Sequence, residues 1–318
     1  MTTHAAHHTR HPETTNPAPP PRLEEQSSPP RLEARGITIG YGKRVISTDL
    51  HALVPEGSFT AIIGPNASGK STLLRALARL LKPTAGTVQL AGRDLQDYAP
   101  KELARALGLL PQTATAPDGI TVAGLVSRGR FPHQNALDRW SLRDEEAVTR
   151  ALAATGVADL ATRLVSELSG GQRQRVWVAM VLAQQSDVLL LDEPTTYLDI
   201  AHQVAVMDLF QDLNRRDRHT LVAVLHDLNQ AARYASHVIA VADGAVAATG
   251  RPEDVVTEET VERVFGLPCR VIEDPETGTP LVVPRARPLP DDGADAATDT
   301  TAADPSAPTA TPDGADTP

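Results

Sequence analysis

Three short stretches of this 318-residue chain carry residue types whose spacing suits work on phosphate. Gly64-Pro65-Asn66-Ala67-Ser68-Gly69-Lys70-Ser71-Thr72 fits the pattern G-x-x-x-x-G-K-[ST]. In such a loop the glycines let backbone N–H groups turn inward around phosphate oxygens, the lysine reaches the β- and γ-phosphates, and the serine hydroxyl ligates Mg²⁺. Val188-Leu189-Leu190-Leu191-Asp192-Glu193-Pro194 ends an apolar run in two carboxylates. Asp192 is placed to hold Mg²⁺ through water, and Glu193 to polarise an attacking water, a service worth roughly 10²–10⁴-fold in rate. Leu168-Ser169-Gly170-Gly171-Gln172-Arg173-Gln174-Arg175 puts a hydroxyl and unclaimed N–H groups at the start of a helical segment, which is again an anion site. One nucleotide does not need two γ-phosphate sites from one chain. The second site is therefore expected to serve the nucleotide held by another copy.

These residues need elements to hold them. Phe59-Thr60-Ala61-Ile62-Ile63 is a short apolar run ending at glycine, which predicts a buried strand. Leu73, Leu74, Leu77, Leu80 and Leu81 recur at helical spacing, and Lys82-Pro83 is expected to stop that helix. Val188–Leu191 and Leu221–Leu225 are apolar at every position, as strands covered on both faces are. Between them Ile200, Val204, Met207, Phe210 and Leu213 keep helical phase. Asp243-Gly244 between Val238–Val241 and Ala245–Ala248 predicts a hairpin. Strands alternating with helices predict an α/β fold with a mainly parallel sheet. No internal repeat is visible, so the chain holds one nucleotide site's worth of motifs.

A hydrophobic share of 41% and a charged share of 22% suit a soluble globular chain. The formal net charge of -10 argues against non-specific nucleic-acid binding, which needs a basic face. The lone cysteine, Cys269, rules out an intramolecular disulfide and reads as a small buried residue. No apolar stretch approaches the ~18–20 residues needed to cross a bilayer, and residues 1–30 lack the apolar core of a secretory signal. The expectation is a cytoplasmic protein whose membrane part, if any, comes from a partner. Residues 1–30 are rich in Pro, Thr, Ser and His, residues 285–318 in Pro, Asp, Ala and Thr, and both are expected to be disordered tails. His4, His7, His8 and His11 in the first tail are either a weak metal site or solvated low-complexity sequence.

Leu168–Gln172, with the phosphate loop upstream and Leu190–Pro194 downstream, resembles the signature of ABC transporter ATPases over about residues 33–283. The resemblance implies a P-loop core with a mainly parallel sheet, an antiparallel β-subdomain and an inserted helical subdomain at about 113–178, all within 31–284. It implies ATP and Mg²⁺ as ligands. It also implies a head-to-tail homodimer, with ATP between Gly64–Thr72 of one copy and Ser169, Gly170, Gly171 and Gln172 of the other. Tyr41 then corresponds to an aromatic stacked on adenine. Gln112 corresponds to the glutamine that joins the subdomains and senses Mg²⁺ and water. Asp199 corresponds to an aspartate facing across the dimer, and His226 to the histidine that contacts the γ-phosphate and orients Glu193. Ala67 stands where glycine is more usual, with no loss of binding expected.

Val126–Gln134, Thr195–Gln203 and Leu225–Ala231 look like the ATPases of ferric-siderophore importers, with haem or cobalamin as alternative cargo. That likeness implies integral-membrane permease subunits as partners, indirectly a substrate-binding lipoprotein, and a place on the cytoplasmic face of the membrane. Arg128, Arg130 and His133 then either dock on the permease or form a solvated basic loop. A soluble ABC ATPase acting on DNA or ribosomes usually carries long insertions or a second ATPase domain, and neither is present. A simple P-loop kinase has no use for Ser169–Gln172 or His226.

Overall fold

The computed structural model describes residues 30–113, 115–134, 140–196 and 198–286. Both expected tails, and the His cluster in the first, lie outside the described residues except at Pro30, Arg285 and Ala286. Strands β1 (Pro30–Tyr41) and β2 (Arg44–Pro55) pair antiparallel, each twelve residues long. β3 (Phe59–Ile63) follows and is buried at every residue. After helix α1 (Lys70–Leu77), strands β4 (Ala85–Leu90) and β5 (Arg93–Asp94) complete a four-stranded antiparallel sheet in the order β2-β1-β4-β5. Helix α2 (Pro100–Ala106) leads into β6 (Leu107–Leu110).

Between β6 and β7 (Val188–Asp192) the chain inserts α3 (Val122–Ser127), α4 (Leu142–Ala154) and α5 (Gly170–Ala183). Helix α6 (Ile200–Asp217), β8 (Thr220–Val224), α7 (Leu228–Tyr234), β9 (His237–Ala242) and β10 (Ala245–Gly250) come next. The second sheet has the order β10-β9-β3-β8-β7-β6, parallel except at β10. Short helices α8 (Pro252–Val255) and α9 (Glu258–Phe265) precede a final hairpin, β11 (Cys269–Glu273) and β12 (Pro280–Pro284). Among the described residues no helix is long and apolar enough to cross a membrane.

Side-chain alternation along the central strands divides the core in two. Phe59, Ala61, Leu189, Leu191, Leu221 and Ala223 pack with α3 to α7. Ile62, Val188, Leu190, Val222 and Val224 pack with α1 and the antiparallel sheet. Each such Phe, Ile, Leu or Val side chain contributes about 1.5–3 kcal/mol by leaving water, and period-2 alternation on doubly covered strands explains their unbroken apolar sequence. The 243–244 hairpin forms as expected, with Asp243 and Gly244 both at positive φ, +49° and +75°.

Two local expectations are corrected, the end of one helix and the surroundings of Arg130 and His133. The leucine-rich helix ends at Leu77 rather than at Lys82-Pro83. Arg79 adopts a left-handed backbone, φ +57°, because its guanidinium donates to Leu95 O (2.8 Å) and Tyr98 O (2.7 Å) and holds the reversal there. Leu80 is then 66% exposed. In α6 the helical phase holds, but of Ile200, Val204, Met207, Phe210 and Leu213 only Met207 and Phe210 are fully buried, and Ile200, at 79% exposure, projects past the edge of the core.

Arg130 neither docks nor lies in solvent. It is 4% exposed, with Nε donating to Asp144 Oδ1 (2.7 Å) and Nη1 to Ala183 O and Gln185 Oε1 (both 2.8 Å). His133 is also taken, by Gln184 O at 2.7 Å. Arg128 and Phe131 remain exposed.

His237 is buried at the start of β9, its Nε2 3.1 Å from Thr249 Oγ1. Burial pushes its pKa down to about 4. The neutral ring is the folded form, so its contribution is complete above pH ~6.5, the unfolded value. It is lost as pH falls toward 4, amounting to about 3 kcal/mol. Urea titrations at pH 7 and pH 4 should show this loss in the native chain and a smaller one in His237→Gln. Equal losses in both would contradict it.

Candidate functional site

The chain leaves β3 at Ile63 and turns under β9. A Cβ on Gly64 would lie 2.1 Å from Val241 O, so only glycine lets the loop pass there. The loop runs through Pro65, Asn66, Ala67 and Ser68 to Gly69 (φ +106°), which begins α1 without a side-chain cap. No acid lies in the first turn of α1. Its first N–H groups are therefore unclaimed and its positive dipole end faces the loop. The Ser68 hydroxyl is buried without a hydrogen-bond partner, and Thr72 is buried one residue beyond Ser71.

Lys70 is only 5% exposed. Its Nζ donates to Gly64 O (2.9 Å) and Pro65 O (2.8 Å). Burial pushes its pKa down, and the Glu193 and Asp192 carboxylates pull it partly back. Ser71 Oγ donates to Asp192 Oδ1 at 3.0 Å. Burial raises the Asp192 pKa against that bond, and the charge of Glu193 adds to the rise. Hydroxyl and carboxylate together are an all-oxygen donor pair of the kind hard divalent cations take.

Ala67 sits at φ +63°, where a Cβ costs about 1–2 kcal/mol. Beyond any effect on binding, the backbone at Ala67 adds a cost in stability. Ala67→Gly should raise unfolding free energy by up to about 1 kcal/mol, after the larger entropy loss of glycine is subtracted. Thermal denaturation with and without the change checks this, and a lower Tm for the glycine variant would refute it.

Gln112, Glu193 and His226 lie just past the carboxyl ends of the neighbouring strands β6, β7 and β8, where open α/β sheets hold ligands. Glu193 Oε1 is 2.6 Å from His226 Nε2, and Oε2 accepts from Gln112 Nε2 at 2.7 Å and Thr196 Oγ1 at 3.1 Å. Burial alone would raise its pKa, but the bonds from His226, Thr196 and Gln112 outweigh burial and hold it below the usual carboxylate range. Glu193 itself is at φ +53°, a strained conformation of the kind that collects at functional sites. Gln112 is thus bonded to Glu193 and not to the Ser71–Asp192 pair.

Tyr41, half-exposed at the end of β1, accepts from Arg75 Nη1 at 3.1 Å. Tyr41, Arg75, Gln112 and Asp192 line one cleft of about 320 Å³. Arg75 and Thr196 escaped the sequence reading. The available signals were spacing: Arg75 lies one turn beyond Ser71 on α1, and Thr196 lies three residues past Glu193 in a tight turn.

Ser169 and Asp199 serve as caps. Ser169 Oγ accepts from Gln172 N (3.2 Å), while Gln172 Oε1 accepts from Ser169 N (3.1 Å). The N–H groups of Gly170 and Gly171, in the first turn of α5, have no acceptor within their helix. Asp199 Oδ1 accepts from His202 N (2.9 Å) and lies 2.7 Å from His202 Nδ1. Tyr197 is outside the described residues. No hydrogen bond among the described residues joins Ser169–Gln172 or Asp199 to Gly64–Thr72.

The ABC transporter family matches residues 48–196. Over 260 residues the chain is 56% identical to the ferric enterobactin transport ATP-binding protein FepC of Escherichia coli (strain K12), an alignment covering 82% of this chain and 96% of that protein. Among solved structures it is similar to an inward-facing ABC transporter assigned to the metal-chelate type. That match has TM-score 0.69 and 27% identity, over 81% of this chain and 98% of the other. It is also similar to a dimeric post-hydrolysis state of the ATP-binding cassette MJ0796 bound to ADP and Pi. Here the TM-score is 0.61 and the identity 28%, over 69% of this chain and 98% of the other.

Proposed function

The chain belongs to the ABC transporter ATP-binding proteins, and from that membership we propose that it is the ATP-hydrolysing subunit of an importer that takes ferric siderophores across the cytoplasmic membrane. The observation that carries the catalytic part is Glu193, ionised and held by His226, Gln112 and Thr196 next to the Ser71–Asp192 pair. The cargo rests on the 56% identity to a ferric enterobactin transporter subunit.

Gly64–Thr72 bind the triphosphate, with Lys70 exchanging the Gly64 and Pro65 carbonyls for β- and γ-phosphate oxygens. Tyr41 stacks on adenine, its ring steadied by Arg75. Ser71 and Asp192 hold Mg²⁺, whose charge, when bound, neutralises the phosphates. Glu193 accepts the proton of the attacking water while His226 fixes the direction of its carboxylate. Ser169–Gln172 and Asp199 act on the nucleotide of a second copy, so closure needs a homodimer. Residues 31–284 form the ATPase domain, and its helical insertion at about 113–178 faces the permease, with Arg128 and Phe131 exposed toward it. The subunit is then peripheral on the cytoplasmic face, and a binding lipoprotein delivers cargo from outside.

Uptake of radiolabelled ferric siderophore by cells carrying either the native chain or Glu193→Gln tests the whole reading. Loss of iron uptake with haem and cobalamin uptake intact supports it. Unchanged iron uptake refutes the cargo.

A further inference from the structure

Two glutamines with no part in the chemistry above link the segment that ends at Asp199 to the turn that carries His226. Gln203, one turn into α6, donates from Nε2 to Leu198 O at 2.9 Å, the carbonyl just before Asp199. Its Oε1 accepts from Gln230 Nε2 at 2.9 Å. Gln230 lies in the first turn of α7, and its backbone N–H donates to Asp227 Oδ1 at 3.0 Å, on the residue after His226. A carbonyl only accepts. Leu198 O therefore fixes which end of the Gln203 amide faces it, and Gln203 in turn presents oxygen to the Gln230 amide. Rotating either amide would set two donors or two acceptors face to face, so the line of bonds has a single polarity.

The surroundings make this link a transmitter rather than one contact among many. Gln174 Nε2 donates to Pro194 O at 2.9 Å and fixes the other end of the Glu193–Asp199 segment. Asn229 bonds Val282 in both directions, at 2.7 and 3.3 Å, and holds α7 against β12. Farther along, Tyr234 donates to Asp208 Oδ1 at 2.9 Å, so α6 and α7 stay pinned even when the amides are removed.

We propose that Gln203 and Gln230 are positioning residues that couple the Asp199 segment to His226. A second copy meeting Asp199 shifts Leu198 O, and the paired amides pass the shift to the α7 turn and tighten His226 on Glu193. This rests on the reading above that Asp199 faces a second copy.

The test is steady-state ATP hydrolysis by the purified full chain carrying Gln203→Met, Gln230→Met or both, with Tm recorded for each. Methionine keeps length and flexibility without the amide. Each single change should lower kcat about tenfold, with KM for ATP and Tm nearly unchanged. The double change should be no slower than either single one, because paired residues act as a unit. A kcat within about twofold of native in either single variant, losses that multiply in the double, or a KM that rises in step refutes the coupling. Native hydrolysis that does not depend on Glu193 overturns the functional reading itself, and the coupling with it.

Discussion

Glu193→Gln is expected to bind ATP about as tightly as the native chain and to hydrolyse it roughly 10²–10⁴-fold more slowly. That is about 3–5 kcal/mol on the barrier. Glu193 makes no bond to the phosphate loop, so its charge is not part of the binding cradle. It is instead the ionised group, with His226 and Gln112 on its two oxygens, that can take a proton from water. An amide keeps the shape and loses the basicity. Because ATP is bound and hardly consumed, the variant should also accumulate as a dimer in the presence of Mg-ATP. Hydrolysis and size-exclusion measurements on the same preparation check both halves. A turnover rate within a few-fold of native would remove Glu193 from the role of base.

Lys70→Ala should have the opposite profile, with ATP binding weakened by at least about a hundredfold and the free protein no less stable. Hydrogen bonds to charged groups contribute about 1.5–3 kcal/mol each, and the lysine is placed to make such bonds to two phosphates. In the free protein its ammonium is buried against two carbonyls, at a desolvation cost seen in its lowered pKa. Removing it therefore takes away an expense of the empty site as well as a contact of the full one. Titration calorimetry with ATP, alongside a melting curve, separates the two effects. Native-like affinity in the variant would mean that backbone N–H groups alone hold the phosphates.

The site was legible where its residues are neighbours in sequence. Gly64–Thr72 and Asp192-Glu193 follow buried strands, and short apolar runs ending at glycine or acid mark such strands directly. Gln112 and His226 needed the family resemblance, because their meeting at Glu193 spans 81 residues in one case and 33 in the other, and no local pattern encodes it. Arg130 shows the limit most clearly. In sequence it sits in a basic stretch with Arg128 and His133. In the fold it faces Asp144, whose capping role at Ser141 already brings a carboxylate to that spot. The early end of α1 was hidden for a similar reason, since the carbonyls that capture Arg79 come from residues 16 and 19 positions away.

Periodicity and loop chemistry by themselves determined the α/β class, the glycine-rich loop at 64–72, the two carboxylates and the capped helix start at Ser169. These depend on hydrogen bonds and apolar spacing within a few residues. Only the tertiary structure decided that Glu193 is held by three donors, that Tyr41 leans on Arg75, that Arg130 is buried, and that Gln203 meets Gln230. Apart from the Thr196 bond to Glu193, which lies within one turn, each of those contacts joins side chains from separate elements. Their geometry follows from the order β3-β8-β7-β6 and from the helices packed over it, and strand order is a property of the whole chain's packing rather than of any window along it.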